Sequence, residues 1–126
     1  MAVRTYAQIL GVVLILTGIL GLVLGERLLL GILNIDLLED IIHLATGGLL
    51  AYVGFAGVDD GPARSIVGVL GVIYLLVGIV GFFVPGLFGL LPDGLTVFDN
   101  LLHLALGALS IAVAWFLRPA PRQARR

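Results

Sequence analysis

Two short phrases of this chain set an acid, an imidazole and a glycine at helical spacing. In "EDIIHLATG" Glu39, His43 and Gly47 fall four residues apart, and in "DNLLHLALG" Asp99, His103 and Gly107 repeat that spacing sixty positions on. They hold the only two histidines of the chain. In a helix each step of four is about one turn, so acid, ring and glycine share a face. Imidazole and carboxylate together can share a proton, ligate a metal, or simply hydrogen-bond one another. Nucleophilic catalysis has no support, because Ser65 and Ser110 lie in the halves of their helices away from the histidines.

Local structure accounts for part of this pattern. Asp36 and Thr96 have the residue types of helix N-caps, and Glu39 and Asp99 follow three residues later, where a capping-box acid reaches back to an exposed backbone N–H. Both acids also meet the positive end of the helix dipole there. The architectural expectation is that each histidine bonds its own acid, a carbonyl or the other histidine, fastening the second helix to the fourth. Three sharper readings stand beside it. His43 and His103 could ligate one haem iron from two sides, or hold a divalent metal with Glu39 and Asp99, or relay protons and sense pH with those acids.

The helices that would position these residues are membrane helices. Of 126 residues, 60% are hydrophobic and 12% charged, too little polar surface for a soluble globule. Apolar stretches at Ala7 to Leu24, Leu37 to Gly57, Ser65 to Val84 and Val97 to Leu117 each approach the roughly twenty residues that cross a bilayer. The acids gather at helix beginnings and in connections, and no thiol is present to form a disulfide or a thiolate metal site. Arg4, Arg64, Arg118, Arg122, Arg125 and Arg126 fall on one side of a four-span topology and Arg27 on the other, which puts both termini in the cytoplasm. The basic tail at 118–126 is expected to meet anionic lipid headgroups, not nucleic acid.

Adding sixty to the residue number aligns the first half on the second without a gap: Gly11 with Gly71, Gly18 with Gly78, Gly21 with Gly81, His43 with His103, Gly47 with Gly107. Repeat one covers about 7–57 and repeat two about 65–117, within one transmembrane domain of 1–126. Each unit holds two spans, so the copies run the same way, related by an axis along the membrane normal. The recurring glycines, with Gly25 completing a GxxxG, are expected to let helices approach closely within the chain. "GERLLLGILNID" and "PGLFGLLPDGLT" are too short to span and too apolar for water, so they are expected to lie in the interface or fold back over the bundle.

The second half, through its Gly-rich helix, its apolar Pro/Gly loop and then Asp99, Asn100, His103, Leu104 and Gly107, resembles a family of small bacterial and archaeal membrane proteins, domain of unknown function 4383. The first half matches it through Asp40, His43, Leu44 and Gly47 but has Gly25 where Pro85 stands. The resemblance implies a four-helix protein of a prokaryotic cytoplasmic membrane and supplies no activity. The expected fold is thus an all-α integral membrane four-helix bundle of two tandem, parallel-repeat hairpins. The expected role is a structural or accessory membrane component that self-associates or joins a larger complex, with no catalysis and no cofactor. The alternative is a cofactor-, metal- or proton-handling protein using Glu39, His43, Asp99 and His103, with haem or a divalent metal at His43 and His103.

Overall fold

The structure, a computed structural model, describes residues 2–25 and 27–117, with the backbone alone for Arg27, Leu28 and Leu29. The basic tail at 118–126 lies outside the described residues. Four helices dominate: α1 (Ala2–Leu24), α2 (Leu37–Phe55), α3 (Asp60–Phe83) and α4 (Val97–Ile111), the last continued by a π-helical turn at Ala112–Phe116. All four, α4 with its π turn included, are long and apolar enough to cross a membrane.

The helix ends depart from the hydropathy reading in an instructive way. α1 and α3 each begin five residues earlier than the apolar stretches, at Ala2 and Asp60. Pro62 does not stop α3, because the first turn of a helix has no intrahelical partner for its N–H groups. At the other end of α4, the Arg64 guanidinium donates through Nη1 to the carbonyls of Val113, Ala114 and Leu117 at 3.2, 2.9 and 3.1 Å. It thereby satisfies acceptors that a helix C-terminus leaves open. Gly25 does not pack as part of a GxxxG face. It has open space around it and a φ of +74°, and its N–H bonds Gly21 O at 2.9 Å, so it terminates α1.

The connection after α1 folds into a short antiparallel ribbon, β1 (Arg27–Leu29) against β2 (Leu33–Ile35), with Leu28 opposite Asn34. This ribbon is the one extended element among the described residues, a local addition to an all-α bundle. Pairing its two arms satisfies backbone groups that apolar surroundings would otherwise leave unbonded. The ribbon lies back on the bundle: Thr96 Oγ1 donates to Ile32 O at 2.5 Å, and Asn34 N donates to Asp99 Oδ2 at 3.1 Å. The connection after α3 makes a 3₁₀ turn at Leu87–Gly89, closes with Leu95 N on Pro85 O at 2.9 Å, and buries Leu91 and Leu95.

The closest packing is of α1 on α2 and of α3 on α4. A Cβ on Gly11 would meet Ala51 and the Gly47 carbonyl, and one on Gly71 would meet Ser110, Ile111 and the Gly107 carbonyl. Gly18 faces Asp40 O and Leu44, while Gly78 faces Asn100 O and Leu104. Gly21 lies against the Asp40 carboxylate and Gly81 against the Asn100 amide. The apolar core, with Val3, Ala7, Leu10, Leu50, Val53, Val67 and Val113, fills the half of the bundle near the α2–α3 turn. The half near the ribbon buries polar side chains instead: Asn34, Asp36, Glu39, Asp40, Asp99, Asn100 and His103.

Candidate functional site

The first turns of α2 and α4 are capped differently, and that difference builds the site. At α4 the capping box is complete: Thr96 Oγ1 accepts from Asp99 N at 3.1 Å, and Asp99 Oδ2 accepts from Thr96 N at 2.8 Å. The same Asp99 oxygen also accepts from Asn34 N and lies 2.8 Å from Thr96 Oγ1, whose single proton goes to Ile32 O. At α2, Asp36 Oδ1 accepts from Leu38 N at 2.9 Å, and no reciprocal bond from Glu39 is made. The capping-box role expected of Glu39 is therefore not filled. Its carboxylate turns into the bundle, where its Oε2 is buried with no hydrogen-bond partner.

There it meets the two histidines. His103 Nδ1 lies 2.7 Å from the Asp99 carbonyl, which can only accept, so Nδ1 carries the proton and Nε2 presents its lone pair. That lone pair lies 4.0 Å from Glu39 Oε1, too far for a hydrogen bond. The His43 ring faces the His103 ring with centroids 6.5 Å apart and planes 19° from parallel, and His43 Nδ1 is buried without a partner. Glu39, His43 and His103 each bring one ligand atom within 4.8 Å of the others. Only 8% of Glu39 and 8% of His103 is exposed.

Asp99, the fourth residue of the sequence-derived group, is turned to capping. Tyr74 takes a place beside the rings that its spacing did not announce. Its ring stacks on His103 at 5.6 Å, and its hydroxyl lies 2.7 Å from Thr46 Oγ1. Thr46 gives its own proton to Ile42 O at 2.7 Å, so Tyr74 is the donor of that pair. Asn34 and Asp40 were also missed as site residues. Nothing in the sequence marks Asn34, which is buried only because the ribbon folds back; Asp40 could have been suspected from its match to Asn100.

Two cavities flank the histidine pair. The larger, about 380 Å³, lies between α1, α2, β2 and α4 and includes Leu14, Asn34, Glu39, Asp40, His43 and His103 in its walls. The smaller, about 140 Å³, lies between α2, α3, the second connection and α4, with Tyr74, Glu39, His43 and His103 in its walls. In chemical terms the site is an electron-rich cluster of one carboxylate and two imidazoles set in apolar walls, able to bind a cation or share a proton.

No curated protein and no solved structure matches the chain. A family model does, over residues 4–116, with the description "Domain of unknown function (DUF4383)". A membrane-compatible bundle of four helices, carrying the Asp99-to-Gly107 phrase at the start of the last, is what the resemblance implied, and the chain belongs to the DUF4383 family.

Proposed function

We propose that this protein is a membrane-embedded binding protein that holds a divalent transition-metal ion on Glu39, His43 and His103. The observation that carries the reading is the convergence of these three donors within 4.8 Å, two of them bearing buried atoms with no partner. A buried carboxyl oxygen without a partner is costly, and a cation held jointly with the two imidazoles would satisfy it. His103 also has the arrangement common to ligating imidazoles, with one ring nitrogen donating to a carbonyl and the other free. Two imidazoles and a carboxylate suit zinc and its first-row neighbours, and three protein ligands leave one position open.

An ion about 2.1 Å from each donor needs donors roughly 3.4 Å apart in tetrahedral geometry, so the triad closes by about an ångström on binding. Haem fits less well: the Glu39 carboxylate lies among the ring nitrogens, and Tyr74 stacks on His103. The membrane orientation proposed with this reading has both termini in the cytoplasm and the triad toward the outer face, following the arginines.

The test is elemental analysis and cobalt(II) visible absorption on detergent-purified protein. About one equivalent per chain and a ligand-field band are expected, both lost in Glu39→Gln, His43→Gln and His103→Gln and kept in Asp40→Asn. A metal-free parent, as stable as the His43→Gln/His103→Gln double variant, would return the pair to architecture. The protein would then be read as an accessory or self-associating membrane component.

A further inference from the structure

The larger cavity carries an observation that an ion at the triad does not absorb. Asn34 is buried in its wall, 7% exposed, and both Nδ2 and Oδ1 of its side chain lack a hydrogen-bond partner. Its backbone N–H is held by Asp99, so the ribbon fixes the amide at this end of the cavity. An unpaired donor and an unpaired acceptor on one buried amide match a group that both accepts and donates. Glu39, Asp40, His43, Asp99 and His103 share the lining with Asn34, and Val13, Leu14, Leu20, Leu102 and Leu106 give the cavity an apolar stretch along α1 and α4. Val13, Leu20 and Leu102 are themselves exposed, so the cavity opens sideways on the face of the bundle that meets lipid.

The two halves of the protein differ here in a telling way. Sixty positions after Leu14 and Asn34 stand Tyr74 and Gly94. The equivalent space on the other side of the histidines is narrowed to about 140 Å³, and the amide has no counterpart. α1 and α4 meet where the Tyr6 hydroxyl lies 2.7 Å from Ser110 Oγ, and they part toward the ribbon.

We infer that the larger cavity binds a neutral, lipid-soluble molecule with a hydroxyl head: the hydroxyl pairs with the Asn34 amide, and the hydrocarbon body lies along α1 and α4 between Val13 to Leu20 and Leu102 to Leu106. An anionic head is disfavoured, because Glu39, Asp40 and Asp99 line the same end, and beside them stand the imidazoles of His43 and His103 but no Lys or Arg. A cavity of about 380 Å³ lies at the lower end of the range for small-molecule sites. The inference goes beyond the metal reading and stands without it, since Asn34 is not one of the three ligands.

The experiment is photolabelling of the full chain in bilayers with a long-chain alcohol bearing a mid-chain diazirine, beside the matched alkane, carboxylate and ammonium. Crosslinks are mapped by mass spectrometry. The alcohol should label segments 13–20 and 102–106 saturably and about fivefold over the alkane, the ratio one net hydrogen bond supplies. Leu106→Trp should abolish the saturable part by filling the cavity, and Asn34→Leu should erase the preference for alcohol over alkane. Equal labelling by alcohol and alkane on the parent chain, which needs no variant, would overturn the inference. So would preference for the carboxylate or the ammonium. Saturable labelling of metal-stripped protein would uphold the cavity whatever the fate of the metal site.

Discussion

Glu39 and Asp99 occupy the same place in the two phrases, and their surroundings separate them. Asp99 accepts from two backbone N–H groups, Thr96 N and Asn34 N, which stabilise a buried carboxylate. Glu39 has no such set. Neutralising them should have opposite consequences for the metal-free protein. Asp99→Asn should lower stability by about 1–2 kcal/mol through loss of the cap, with Thr96→Ala costing about 1 kcal/mol. Glu39→Gln should leave stability unchanged or raise it, because it replaces a buried acid whose Oε2 has no partner. Thermal unfolding in detergent reads both, and a loss at Glu39 equal to that at Asp99 would contradict this account. The sequence made both residues look like capping acids; the extra methylene of Glu39 and the differing cap at Asp36 are what turn it inward.

At the scale of the helix, glycine has two separable uses in this chain. At Gly107 a Cβ would lie 2.5 Å from Leu75 N and 2.7 Å from Gly71 O, both of them backbone atoms that cannot step aside. At Gly48, on α2, nothing lies within 4 Å. Gly107→Ala is expected to cost about 1–3 kcal/mol by forcing α3 and α4 apart, while Gly48→Ala should be neutral or slightly stabilising. The pair of variants, compared by unfolding in one detergent, isolates close helix approach from helix propensity. Spacing alone ranked Gly25 with the packing glycines. Its φ of +74° and open surroundings show that it ends a helix, and Pro85 stands at the matching place after α3.

For the whole molecule, the contacts of Gly11, Gly18 and Gly21 with α2 recur for Gly71, Gly78 and Gly81 with α4, which supports reading the chain as two hairpins of one kind. The proposed orientation is directly testable because the chain has no cysteine of its own. Asp59→Cys, in the exposed α2–α3 turn, should react with a membrane-impermeant maleimide only after the membrane is opened. Asp93→Cys, exposed in the second connection, should react from outside in intact cells. The reverse pattern would invert the bundle and place the triad toward the cytoplasm.

What the amino-acid order determined by itself is the part governed by local rules. Apolar run length, acids gathered at helix beginnings, N-cap residue types and the sixty-residue offset announce four membrane helices and a chemically unusual pair of histidines. Only the tertiary structure decided which of these groups face each other. Asn34 is polar, lies in a short apolar connection and has no partner at sixty positions' distance, so no periodicity could mark it. Its burial follows from a ribbon held down by Thr96 and Asp99 of a distant helix. Tyr74 and Arg64 likewise gained roles from neighbours far along the chain: the His103 ring for one, the open carbonyls of α4 for the other. Capping and hydropathy act over a few residues and can be read there. A cavity and a ligand triad are shaped by the space left between helices, and that space exists only once they pack.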